Sequence, residues 1–214
     1  MSIENYRIVK CPHCLTEFEA KFYSVVRGDI DLDLKDLIIN GEFNLLICPN
    51  CGKMFTYEDN FIYLDPKARL FVFVMPEYYE TQEEIVKKLK TDYQSLEGEI
   101  STQKGLKGIE PIYFFGIDKL SQLLINERDI EEESEVIEAI AKEKNLKTRK
   151  IKRNFARENG LPFVMPYLKS LHKGDVVEVL TEILKENKTL KRIKRLIEVL
   201  EDIEEEEIDF IDED

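Results

Sequence analysis

All four cysteines of the chain lie in two short C-P-x-C motifs, Cys11 with Cys14 and Cys48 with Cys51. A two-residue spacer lets both sulfurs of a pair point to one centre. Two such pairs supply the four thiolates of a tetrahedral site, a ligand set that suits zinc. Gly52 follows the second motif and can adopt the positive φ angle that such a turn often needs. Since four thiolates leave no open coordination position, the spacing predicts a structural Zn2+ ion and not a catalytic one.

The first motif has a second interpretation, because CPHC at residues 11–14 is also a dithiol sequence of strongly oxidising thioredoxin-fold proteins. Those proteins place the first cysteine at a helix N-terminus, which lowers the pKa of its thiol. Here the residues after Cys14, LTEFEAKFYSVV, are typical of a strand, and a second cysteine pair is present. These observations favour zinc, and a thiol-disulfide oxidoreductase acting through CPHC stays open as an alternative.

The first third of the chain reads mainly as strands. Residues 6–10 lead into the first motif and residues 17–26 lead out of it, and GEFNLLICPNC repeats this pattern at the second motif. A short helix capped by Asp29 or Asp31 lies between the motifs, and residues 68–75 form a continuous apolar run typical of a buried strand. The sequence therefore predicts an α+β fold that begins with a zinc-ribbon-like antiparallel β unit and packed helices.

Further along, the hydrophobic pattern becomes helical. Apolar residues at helical spacing predict helices over residues 85–96, 117–125 and 131–143. Two more helices follow in the last quarter, where apolar positions run from Val176 to Leu184 and from Leu190 to Leu200. The C-terminal region is therefore predicted to be helical.

Changes in composition predict three parts: a zinc-binding α+β domain over residues 1–144, a helical subdomain over 145–197 and an acidic tail over 198–214. The first boundary coincides with Lys142–Arg157, which holds eight basic residues and one acid. The tail holds eleven acids and no basic residue. It accounts for most of the formal net charge of -13, so the other 197 residues carry only -2.

The charge distribution bears on nucleic-acid binding. A strongly acidic protein is a poor general nucleic-acid binder, because such binding needs a cationic surface that displaces counterions from phosphates. The nearly neutral body, however, keeps a basic run that includes Lys147, Arg149, Lys150 and Arg153. A nucleic-acid-associated factor whose acidic tail masks this run is therefore a second alternative.

Longer segments resemble the CpXC domain, a prokaryotic family named for this cysteine pattern. The likeness includes INGEFNLLICPNCG, FIYLDPKARLFVFVMPE and PIYFFGIDKLSQLLINERDIEEESEVIEAIAK, and it covers about residues 6–144. The resemblance implies a domain that binds metal through the four cysteines, in a family for which no activity is established. The stretch after Lys144 is not covered by the resemblance.

No catalytic constellation is legible in the sequence. The two histidines, His13 in the first motif and His172 near a turn, offer little material for a nucleophile and base, and the glycines form no phosphate-binding loop. No apolar run is long enough to span a membrane or direct secretion, so we expect a cytoplasmic location without membrane contact. In that reducing compartment, four cysteines are better suited to a metal than to disulfides. The sequence thus favours a zinc protein that binds or regulates another protein over an enzyme.

Overall fold

The computed structural model describes residues 1–88, 91, 108–203, 208, 210 and 211. Its elements combine helices with strands, which confirms the predicted α+β class. In chain order they are β1 (Ile3–Lys10), β2 (Glu17–Arg27), α1 (Leu32–Ile39), β3 (Leu45–Ile47), β4 (Met54–Thr56), β5 (Phe61–Asp65), β6 (Leu70–Met75), β7 (Ile112–Phe115), α2 (Ile117–Glu143), β8 (Lys147–Lys150), α3 (Arg153–Asn159), β9 (Val164–Tyr167), α4 (Lys173–Glu186) and α5 (Lys191–Asp202).

Contacts along the chain divide it into two compact units, Met1–Ile125 and Asn126–Asp214. The division falls inside α2 and not after residue 144. The domain boundaries after residues 144 and 197 rest on composition alone and stay predictions. Among the helices of the described ranges, none combines the length and the apolar character that crossing a bilayer requires.

The N-terminal unit contains a five-stranded sheet in the order β1-β2-β5-β6-β7. Strands β1 and β2 are antiparallel, as are β5 and β6, whereas β2 with β5 and β6 with β7 are parallel. The sheet is therefore mixed, while the two hairpins that carry the cysteine motifs, β1–β2 and β3–β4, are antiparallel. Parallel neighbours need a long crossover, and the chain between β2 and β5 provides one by building α1 and a separate ribbon of β3 and β4.

One apolar cluster of this unit joins the sheet to its helices. Tyr63 and Val72 from the sheet are fully buried together with Ile38 of α1 and with Leu120 and Leu124 of α2. Burial of this kind stabilises a fold by about 25 cal/mol for each Å² of apolar surface removed from water. The cluster fixes the sheet from which the cysteine-bearing hairpins extend.

Gly28 is required where the chain leaves β2. Its N–H donates to the Leu64 carbonyl at 2.9 Å, and a Cβ atom at this position would lie 1.9 Å from the hydroxyl oxygen of Tyr63. Any larger residue would displace the buried Tyr63 ring.

Two predicted helices differ in detail from the observed ones. Asp31 occupies the N-cap position of α1, as one of the two predicted caps, but its carboxylate accepts hydrogen bonds from Ser2 and makes no cap bond. The helices predicted over residues 117–125 and 131–143 are one continuous helix, α2. The intervening residues include no glycine or proline that would end a helix. The helix predicted over 85–96 is helical at 83–88, and most of its remainder lies outside the described residues.

The C-terminal unit buries a larger apolar cluster. The predicted helices of the last quarter are confirmed as α4 and α5, whose Leu180, Ile183, Ile193 and Leu196 are fully buried. These helices pack in one cluster with residues of the β8–β9 ribbon. Hydrophobic burial alone therefore gives this unit a substantial core.

The described part of the acidic segment belongs to this core. Helix α5 continues to Asp202, and beyond it Ile208 and Phe210 are buried. The Phe210 ring stacks on Phe155 with a centroid distance of 4.5 Å, and its carbonyl accepts the Lys152 N–H at 2.9 Å. In the described part of this segment, the apolar side chains of Ile208 and Phe210 attach it to the unit.

Candidate metal centre

The first cysteine motif forms a tight turn between β1 and β2. The Cys11 N–H donates to the Thr16 carbonyl at 2.9 Å, and the Leu15 N–H donates to the Cys11 carbonyl at 3.0 Å. Leu15 has a φ of 60°, in the left-handed region that costs a side chain about 1–2 kcal/mol. These two backbone bonds turn the chain so that Cys11 and Cys14 lie on the same side of the hairpin.

The second motif repeats this geometry between β3 and β4. The Cys48 N–H donates to the Lys53 carbonyl at 3.0 Å, and the Gly52 N–H donates to the Cys48 carbonyl at 2.9 Å. Gly52 has a φ of 67°, as predicted, and thus occupies the position that Leu15 occupies in the first turn. The two motifs therefore form equivalent knuckles. The second has a glycine at the left-handed position, which tolerates this conformation, whereas the first has a leucine there.

The two knuckles bring all four sulfurs together. All four Sγ atoms lie within 4.8 Å of one another. Cys14 Sγ lies 3.6 Å from Cys48 Sγ, and Cys11 Sγ lies 3.8 Å from Cys51 Sγ. A disulfide would need an S–S distance of about 2.05 Å. A tetrahedral ion with metal–sulfur bonds of about 2.3 Å separates its sulfurs by roughly 3.8 Å. The cluster therefore has the dimensions of a four-thiolate metal site.

Polar groups next to the sulfurs stabilise negative charge on them. The backbone N–H of His13 donates to Cys11 Sγ at 3.4 Å. The Asn50 amide lies 3.6 Å from Cys14 Sγ, and the Thr16 hydroxyl lies 3.4 Å from the same sulfur. Hydrogen bonds from Thr16, followed by that from Asn50, lower the pKa of Cys14 to about 5. Cys14 is thus readily a thiolate, the form in which cysteine binds metals.

The thiol of Cys51 shows the opposite behaviour. The Lys53 backbone N–H lowers the pKa of Cys51, but desolvation and the hydrogen bonds with the thiols of Cys14, Cys48 and Cys11 outweigh it and raise the pKa to about 11. Four sulfurs this close cannot all be negative without a compensating cation. A metal ion supplies that charge, and its binding would release the protons that the cluster otherwise retains.

The centre lies at the surface of the N-terminal unit. Cys11 and Cys48 are buried, Cys14 is half-buried and Cys51 is exposed. The apolar cluster beneath the knuckles is small and contains only Val9, Ala20 and Phe22 as fully buried members among the described residues. Edge-to-face packing of Phe18 on Phe55, at 6.2 Å between centroids, connects the two hairpins.

The sequence indicated the four cysteines but not the groups that surround them. Thr16 and Asn50 contact each other at 3.0 Å as well as Cys14, so each knuckle contributes a polar neighbour to the same sulfur. The position of Asn50 inside the second motif could have indicated from the sequence that its side chain lies near the sulfurs. The left-handed conformation of Leu15 had no such signal, because leucine rarely adopts it.

The predicted basic run belongs to the C-terminal unit, whereas the four cysteines belong to the N-terminal unit. Lys147 and Lys150 are exposed on β8. Arg153 instead donates to Glu127 at 3.3 Å and to Glu131 at 2.9 Å, and Arg157 donates to Glu127 at 2.7 Å. The Glu127 side chain is only 2% exposed. Two arginines of the run therefore neutralise a buried carboxylate inside their own unit.

Comparison with protein families gives one match: the family described as CpXC protein, over residues 9–154. The matched range contains both knuckles and all four cysteines. Comparison with curated proteins and with solved structures gave no match.

Proposed function

The chain belongs to the CpXC family, and from this premise we propose that Cys11, Cys14, Cys48 and Cys51 hold one structural Zn2+ ion. The observation that carries the proposal is the clustering of four sulfurs within 4.8 Å of one another, with distances of 3.6 Å from Cys14 to Cys48 and 3.8 Å from Cys11 to Cys51. Four thiolates form a closed set that suits zinc and leaves no position for a substrate. The ion would tie the two hairpins together, where the apolar cluster between them is small.

We further propose that the protein serves as a cytoplasmic binding or regulatory module for another protein, without a catalytic centre of its own. The closed ligand set supports this role, because a zinc ion with four thiolates stabilises a surface and does not polarise a substrate. Thiols that lie at metal-site distances and not at disulfide distances agree with a reducing compartment.

The zinc proposal is tested by metal analysis of protein made without an affinity tag. We expect close to one zinc per chain. Cys48→Ser should lose the zinc and unfold the N-terminal hairpins, because structural zinc supplies on the order of 10 kcal/mol of folding free energy. His13→Ala is the matched control, since His13 lies in the first knuckle between two of the cysteines but contacts Cys11 Sγ through its backbone N–H. Metal-free wild-type protein with intact hairpins would contradict the proposal.

The nucleic-acid alternative rests on the exposed Lys147 and Lys150, because Arg153 is engaged with Glu127 and Glu131. Deleting the whole acidic segment would also remove Phe210 from the core, so it is a poor test of charge masking. Changing Glu204, Glu205, Glu206 and Glu207 to Gln keeps the apolar anchors. If the tail masks a nucleic-acid surface, this variant should bind DNA or RNA at low salt with steep salt dependence. No binding at about 50 mM salt would exclude it.

The thiol-disulfide alternative receives some support from the low pKa of Cys14, since a reactive thiol is one that readily ionises. Thiol titration distinguishes a structural metal site from a thiol-disulfide oxidoreductase. A structural metal site should show four thiols that are protected until a chelator is added. Two fast-reacting thiols in the untreated protein, together with insulin reduction, would instead favour the oxidoreductase.

A further inference from the structure

Strand β1 forms one edge of the five-stranded sheet. It pairs with β2 along one side, and the described residues provide no strand for its other side. An edge strand presents a row of backbone donors and acceptors to which another strand can add. Proteins protect such edges with short strands, prolines or bulges. β1 has eight residues and no proline, and its one irregularity lies at its start, between Ile3 and Glu4.

The solvent-facing side of β1 carries large apolar side chains. Tyr6 is 61% exposed and Ile8 is 66% exposed, and these two residues alternate with the buried Val9 side of the strand. Glu4 and Lys10 lie at either end of the same face, because side chains two apart point to the same side of a strand. Along the exposed face of β1, an acidic residue is therefore followed by an aromatic, an aliphatic and a basic one.

We propose that β1 pairs antiparallel with β1 of a second copy of this chain, around a two-fold axis at Arg7. This register places Tyr6 opposite Ile8 and Glu4 opposite Lys10, each twice. Aromatic–aliphatic and opposite-charge pairs across two strands each contribute about 0.2–1 kcal/mol. Centring the axis one residue earlier, at Tyr6, would instead place Glu4 opposite Ile8 and leave Lys10 without an acidic partner. The charge pattern of β1 is thus complementary to itself in one register.

The register also places the two Arg7 residues opposite each other, on the other face of the sheet. Each Arg7 guanidinium already contacts Asp59 of its own chain at 2.6 Å, and the Asp59 side chain is only 7% exposed. This internal pair compensates the charge that would otherwise repel the second copy. Glu4 makes an exposed pair with Lys21 at 2.8 Å, which is weak enough to be shared with the second copy's lysine.

The test is a charge swap on the full, zinc-containing chain, with the molar mass measured by sedimentation equilibrium. The wild type should have twice the mass of one chain. Glu4→Lys and Lys10→Glu should each raise the dissociation constant of the dimer by about tenfold, because each change creates two like-charge pairs. The double variant Glu4→Lys with Lys10→Glu should restore the dimer.

Two further variants separate the interface from general effects of charge. Glu19→Lys makes the same charge change on β2, opposite Ile8 in its own sheet, and should leave the dimer unchanged. Ile8→Lys should dissociate it while the zinc content stays at the wild-type level. A monomeric wild type would overturn the proposal, and so would a dimer that survives both single charge changes or a double variant that stays monomeric.

Discussion

The surroundings of the two knuckles and the C-terminal unit are stabilised by different means. Beneath the knuckles, Val9, Ala20 and Phe22 form the buried cluster, whereas the C-terminal unit buries eighteen apolar residues in one cluster of described side chains. At about 1.5–3 kcal/mol for each fully buried large side chain, the second cluster contributes several times as much hydrophobic stabilisation as the first. From this difference we expect the hairpins to depend on metal binding at the four cysteines and the C-terminal unit to fold without it.

The largest expected effect is on the hairpins. Cys14→Ser removes the thiol whose pKa is lowered to about 5 and should abolish stoichiometric zinc binding, with a loss on the order of 10 kcal/mol for the structure that the metal supports. Zinc content and the dispersion of the amide resonances of β1 to β4 measure this loss. Full zinc content in the variant would show that Cys14 is not a ligand.

A second substitution tests the C-terminal unit by removing part of its apolar core. Leu180→Ala leaves a cavity in a fully buried position and should destabilise that unit by about 2–5 kcal/mol, as measured by urea unfolding. The zinc content should remain unchanged. A loss of zinc from this variant would break the contrast between the two regions.

A smaller effect is expected from the groups that contact the sulfurs. Thr16→Val keeps the shape of the side chain but removes the hydroxyl that contacts Cys14 at 3.4 Å. Polar neighbours of metal ligands typically contribute 10- to 100-fold in affinity, so competition with a chelator should show a loss in that range. A Glu19→Lys chain, changed three residues further along on β2, should retain wild-type affinity.

The smallest expected effect distinguishes the two knuckles from each other. Leu15→Gly relieves a left-handed backbone at a position where Gly52 already stands in the second knuckle. Because the Leu15 side chain is 64% exposed and little packing is lost, the variant should be more stable by about 1 kcal/mol. Thermal unfolding of the zinc-loaded protein measures this difference, and a lower midpoint would show that the leucine has a packing role.

The sequence was sufficient for features that depend on local spacing. The C-x2-C spacing by itself predicts that each pair converges, and apolar positions three and four residues apart predict α4 and α5. It was insufficient where distant segments meet. The parallel pairing of β2 with β5 depends on the crossover between them, and no residue of either strand predicts this pairing.

The basic run illustrates the same limit. Eight basic residues in a short stretch indicate an exposed surface, yet Arg153 and Arg157 bind Glu127, which precedes them by 26 and 30 residues. Glu127 is one acid among many in α2, so its burial could not be read from the sequence. In the acidic tail, the packing of the segment could have been predicted, since Ile208, Phe210 and Ile211 interrupt the acids. The high negative charge favoured a solvated tail instead.

Hydrogen exchange of the wild-type chain, with and without a strong chelator, tests directly whether the hairpins depend on the metal and the C-terminal unit does not. Removing the metal should abolish amide protection in β1 to β4, while α4 and α5 should keep theirs. Protection that persists in both hairpins after complete removal of the metal would contradict it.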